Sequence, residues 1–168
     1  MLADYHMHTS FSDDSVLPMQ DAVERAIAIG LDEICFTDHI NAVHFYDDCD
    51  CEAYLKEINR CRRLFDDKIK IKFGMEFGLQ SQLCSYYEDI FRRYDFDFIL
   101  LSIHLINNLD LWNHEFQHGK SQLQYNCEYY DELLNIVNNY NDYSVLGHMD
   151  LIRRYETVSE CPFEYVQD

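Results

Sequence analysis

Five of the eight histidines in this 168-residue chain, His6, His8, His39, His104 and His148, stand at or just past the ends of short segments that read as β-strands. A further such segment ends on Glu76. Imidazole and carboxylate are the donors that suit zinc, manganese and iron. On extended backbone, residues two apart point the same way, so His6 and His8 can hold one ion together. An H-x-H pair alone carries little information. All five expected strands, however, deliver a histidine or a carboxylate at their carboxyl ends, the face where parallel α/β folds build their sites.

The elements that must position these groups alternate in kind. Leu2 to Tyr5 reads as a strand, and Ser15 to Gly30 as a helix with Met19, Ala22, Val23, Ala26 and Ile27 on one face, Pro18 in its first turn and Gly30 at its end. Glu33 to Thr37 is a second strand. Asp50 is placed to cap a helix that shares Tyr54, Leu55, Ile58, Cys61 and Phe65. In KIKIKFGME, Ile69, Ile71, Phe73 and Met75 alternate with lysines at a period of two. A helix over Ser81 to Tyr94 follows, then Phe96 to Ile103, apolar enough for a strand buried on both faces. Asn107 to Gln122 is a long polar stretch, a candidate functional loop. Tyr125 to Tyr140 reads as a helix and Ser144 to Gly147 as a fifth strand. Strand and helix in alternation imply a parallel sheet with right-handed crossovers, either open or part of a barrel.

Composition narrows the function. Apolar residues make up 48% of the chain, which suits a single domain with a core. A formal charge of −18 argues against a standing nucleic-acid partner. It reflects either carboxylates gathered around cations or a solvated acidic surface. Seven cysteines show no C-x-x-C pair, so neither a disulfide scaffold nor a zinc knot is expected. Cys49 and Cys51 are either metal neighbours or ordinary reduced thiols. MLADYHMHT has no signal-peptide pattern and no run of eighteen apolar residues exists, so a cytoplasmic protein with no membrane association is expected.

Taken together, DYHMHTSFSDDS at 4–15, FTDH at 36–39, GMEFG at 74–78, LLSIHLINNLDLW at 100–112 and VLGHMDLIRRY at 145–155 resemble the PHP (polymerase and histidinol phosphatase) family, in its histidinol-phosphatase branch. The resemblance implies an α/β fold, a distorted (β/α)7 barrel related to the TIM barrel, with about five βα units present in a single domain over 1–168. It implies up to three divalent metals (zinc, manganese or iron) and hydrolysis of a small phosphate monoester, L-histidinol phosphate, in histidine biosynthesis. Carried over, His6, His8 and Glu76 would bind one metal. Glu76 would bridge to a second, held also by His104 and His148, and these three residues would form the reacting centre. His39 and Asp14 would take the third metal, with Asp13 as the alternative to Asp14.

Other residues stay open at this level. Asp38 and Asp150 either orient ligand imidazoles or serve turns and caps. Arg153 and Arg154 are either a phosphate clamp or solvated charges on a helix after the last strand. His44, His114 and His118 read as surface residues. The family pattern also has a late Asp-x-His pair that this sequence lacks. The first and third sites would each be a ligand short, the barrel would be unclosed, and turnover by this chain would be weak unless a partner chain completes it. Two further readings follow: another phosphoesterase of the same family, and a metal-binding fragment without catalysis.

Overall fold

The computed structural model describes residues 1–42 and 49–156. Its elements run β1 (Ala3–Met7), α1 (Met19–Ala28), β2 (Glu33–Phe36), β3 (His39–Ile40), α2 (Cys51–Leu64), β4 (Lys70–Gly78), a 3-10 turn (Ser81–Leu83), α3 (Cys84–Arg93), β5 (Phe98–Ser102), β6 (Leu105–Ile106), β7 (Leu109–Asp110), α4 (Gln122–Asn139), β8 (Val145–Leu146) and α5 (Leu151–Arg154). The five expected strands lie side by side, all parallel, in the order β1-β2-β4-β5-β8. They form part of an α/β barrel wall. β3 adds to the same sheet by pairing with β4.

Local chemistry explains most element ends. The helix α1 starts at Met19 and not at Ser15, because Pro18 is extended and residues 10–17 close their own loop through Ser10 N–H to the Leu17 carbonyl. Its far end is a Schellman turn. Gly30, at φ +83°, donates to the Ile27 carbonyl, and Leu31 donates to that of Ala26. The Asp50 carboxylate caps α2 by accepting from the amides of Glu52 and Ala53. Ser121 and Gln124 form a capping box, which starts α4 three residues before the apolar periodicity does.

The stretch 107–122 is more ordered than its polarity suggests. It opens with a hairpin, β6 against β7, whose turn residues Asn107 and Asn108 both have positive φ. The core lies between sheet and helices, around Ile34, Phe36, Tyr54, Ile58, Met75, Phe77 and Tyr87. Among the described residues, no helix is long and apolar enough to cross a membrane.

One ion-pair knot locks the sheet at the end opposite the histidines. Asp97 accepts from the Phe73 amide at 2.9 Å, from Arg62 at 2.8 Å and from Lys72 at 3.2 Å. Burial pushes its carboxyl up, but the Phe73 amide, Lys72 and Arg62 outweigh that and hold it below the usual carboxylate range. The folded pKa is therefore the lower one. The stability it contributes is present above the unfolded value of about 3.9 and is lost as pH falls through the folded value. Asp97→Asn is expected to cost about 1–2 kcal/mol at pH 7 in urea denaturation. That cost should shrink steadily below about pH 3.9. A pH-independent difference would mean the charge is not what stabilises.

Candidate metal centre

Glu76 is the hub. It lies in β4 with its side chain fully buried, and parallel pairing sets it opposite His39 of β3. Five imidazoles close on its two oxygens. Nε2 of His6, His8 and His39 lie 2.9, 2.9 and 3.0 Å from Oε2. Nε2 of His104 and His148 lie 3.2 and 3.0 Å from Oε1. The carboxylate thus divides the cluster into two halves, one facing β1 and β3, the other facing the ends of β5 and β8.

A third group sits beside the first. His8 Nδ1 is 2.8 Å from Asp14 Oδ2, and His39 Nδ1 is 3.9 Å from an oxygen of both Asp13 and Asp14. Of the two neighbouring aspartates, Asp14 is the one that closes on His8. Among the described residues, three triads could each hold a cation: His6, His8 and Glu76; His8, Asp14 and His39; His39, Glu76 and His104. His39 therefore belongs to both the Glu76 half and the aspartate group.

These residues fit divalent metal. His8 Nε2 is buried without a hydrogen-bond partner although it lies 2.9 Å from Glu76 Oε2, the disposition of two donors facing one ion. Donor atoms each about 2.1 Å from one ion, at octahedral or tetrahedral angles, lie roughly 3.0–3.4 Å apart. The electrostatics agree. Burial would raise Glu76, yet His104, His148, His39 and His6 outweigh it and hold the carboxyl far below its ordinary range. Burial would depress His39, but Asp13 and Glu76 push it up to about 10. Burial also opposes His8, whose contacts with Glu76 and Asp14 carry it upward. The cluster demands positive charge, which either protons or dications can supply.

Asp38 supports this centre from behind and touches no imidazole. Its buried carboxylate accepts from the Thr9 amide at 2.6 Å, the Thr9 hydroxyl at 2.9 Å and the Ser12 hydroxyl at 2.8 Å. Ser12 Oγ in turn accepts from the His39 amide at 2.8 Å. Burial pushes the Asp38 carboxyl up, against those donors. Asp150 stands at the N-cap of α5 without a side-chain capping bond.

A cavity of about 530 Å³ opens over the cluster, walled by Asp13, Asp14, Asp110, Leu111, Trp112, Leu151, Arg154 and Tyr155 besides the histidines. That volume suits a small-molecule ligand. Arg154 lines it; Arg153 is not among the lining residues. Trp112 is 68% exposed at the rim, its ring tilted against Tyr155. His114 and His118 are exposed, and Cys49 and Cys51 belong to the core and to none of the candidate ligand groups. His44 and Cys161 lie outside the described residues.

Sequence reasoning missed three polar neighbours. Asn41 Oδ1 lies 2.8 Å from His104 Nδ1, Ser102 Oγ lies 3.4 Å from His148 Nε2, and Asp110 sits in the cavity wall. None carries a spacing signal; each is recognisable only as a polar residue near a strand end.

Residues 4–167 match the family model described as the PHP domain. The chain belongs to the PHP family. It is 34% identical to the histidinol-phosphatase of Lactococcus lactis subsp. lactis (strain IL1403), over 98% of this chain and 62% of that protein. A crystal structure of histidinol phosphate phosphatase from Lactococcus lactis, complexed with zinc, L-histidinol and phosphate, superposes with a TM-score of 0.86 at 35% identity, covering 91% of this chain and 59% of that one. A Listeria monocytogenes chain shares the fold, with a TM-score of 0.75 at 17% identity over 90% of this chain and 68% of its own. The PHP chain described here therefore spans 62% of the length of its curated Lactococcus relative.

Proposed function

We propose that this PHP chain is a metal-dependent phosphomonoesterase centre whose substrate is L-histidinol phosphate. The observation that carries the reading is the buried Glu76 carboxylate, set between five imidazoles at the floor of an open cavity. Bound there, zinc, manganese or iron would supply an acidified water as nucleophile and positive charge for the phosphoryl oxygens. Glu76, His6 and His8 would hold one ion, Glu76, His104 and His148 a second, and His39 and Asp14 a third.

Arg154, on the cavity wall, offers a guanidinium that matches phosphate bidentately and can neutralise the developing charge. Trp112 and Tyr155, which also line the cavity, give it an aromatic surface suited to a planar heterocycle such as imidazole. The Lactococcus relative, whose structure holds zinc, L-histidinol and phosphate, supports the same substrate.

The test is phosphate release from L-histidinol phosphate, p-nitrophenyl phosphate and a panel of other monoesters, with and without added manganese or zinc. Metal-dependent release favouring histidinol phosphate is expected. Arg154→Ala should raise KM about tenfold, the loss of one charge-assisted contact. No metal-dependent release from any monoester would refute the reading.

A further inference from the structure

We infer that Asn41 is a positioning residue that locks His104 in the tautomer able to bind a metal, and that Gly78 is glycine to leave room for that lock. The inference rests on the reading of the cluster as a metal centre. An imidazole can ligate only through a nitrogen free of its proton, so a neutral ring must carry its hydrogen on the other nitrogen. For His104, Nε2 faces the centre, 3.2 Å from Glu76 Oε1, and Nδ1 faces away, 2.8 Å from Asn41 Oδ1. An amide oxygen only accepts. The ring proton is thereby drawn to Nδ1, and the Nε2 lone pair is directed at the carboxylate. Two acceptors face each other there, an arrangement that a shared cation resolves.

Asn41 is well placed to do this. It follows β3 directly, two residues past His39, and is 4% exposed, which holds its amide in place behind the ring. The third member is Gly78, the last residue of β4. A Cβ built there would lie 2.1 Å from Asn41 Oδ1 and 3.1 Å from His104 Nδ1. Any side chain at 78 would occupy the space of this hydrogen bond. The glycine cannot retreat easily. Its carbonyl accepts from the Tyr87 hydroxyl at 2.8 Å, and its backbone pairs in register with Ser102 of β5. Asn41 Oδ1 is the atom nearest that Cβ, so Gly78→Ala is expected to displace the amide.

Two measurements test the lock. Long-range 1H–15N correlation spectra of the metal-free protein read the His104 tautomer directly. The Nδ1–H form is expected in the unaltered protein and in Asn41→Asp, which keeps an acceptor, and a shift toward Nε2–H is expected in Asn41→Ala. Zinc affinity, by competition with a chromophoric chelator, should fall about 10- to 100-fold in Asn41→Ala and in Gly78→Ala. In Asn41→Asp it should stay within about threefold of the unaltered protein, since the acceptor survives. A purely structural role would not separate aspartate from alanine in this way. An Nε2–H or doubly protonated ring in the unaltered protein overturns the proposal, whatever the variants do. So does an alanine variant with full zinc affinity, or an aspartate variant as weak as alanine. Absence of zinc binding by the unaltered protein defeats the metal-centre reading itself, a failure the spectra keep distinct.

Discussion

Replacing Glu76 by glutamine is expected to lower zinc affinity about 1,000-fold, the equivalent of roughly 4 kcal/mol for removing one charge from a buried ionic cluster. The substitution keeps shape and volume, so the fully buried site should not collapse. What it removes is the anion that both halves of the centre share. Oε2 faces His6, His8 and His39, and Oε1 faces His104 and His148. Without that charge, two cations would have to sit near each other on neutral imidazoles alone. Metal content should therefore fall together with affinity, and any phosphate release should fall with both. Elemental analysis after dialysis against a fixed free-zinc buffer measures the outcome. A glutamine variant that retains zinc in full would show that Glu76 merely balances protonated imidazoles and bridges nothing.

Asp38→Ala is the second large effect. The substitution strands the Thr9 amide, the Thr9 hydroxyl and the Ser12 hydroxyl, all buried. Each unmet buried donor costs about 1–3 kcal/mol, and partial relaxation brings the expected total to about 3 kcal/mol. For a chain of this size that corresponds to a melting temperature lower by roughly 10 °C. A second consequence separates this residue from an ordinary core carboxylate. Thr9 and Ser12 belong to the loop that carries His8 and Asp14, and Ser12 also holds the His39 amide. Loosening that loop should weaken metal binding at the His8, Asp14 and His39 triad more than at His104 and His148. Calorimetric titration with zinc would show it as selective loss of one class of site. A melting temperature within about 2 °C of the unaltered protein would mean that water replaces the carboxylate without cost.

The strands and the chemical character of their ends were legible in the residues themselves. The alternation over 69–75, the apolar run over 96–103 and the capping aspartate at 50 are local patterns, and each produced the expected element. The hairpin β6–β7 was less visible, because Asn107 and Asn108 adopt positive φ without a glycine to announce the turn. β3 escaped notice because two residues are too few to show a period.

The position of each donor past a strand depends only on its neighbours along the chain, so the sequence determined that histidines and carboxylates would gather on one face. Which nitrogen meets which oxygen is a different kind of fact. His39 meets Glu76 across 37 residues and His148 meets it across 72, through strand register and crossovers that no local window contains. For the same reason, only the tertiary structure decided that Arg154 and not Arg153 lines the cavity, that Asp38 ties a loop and touches no ring, and that Asn41 stands behind His104.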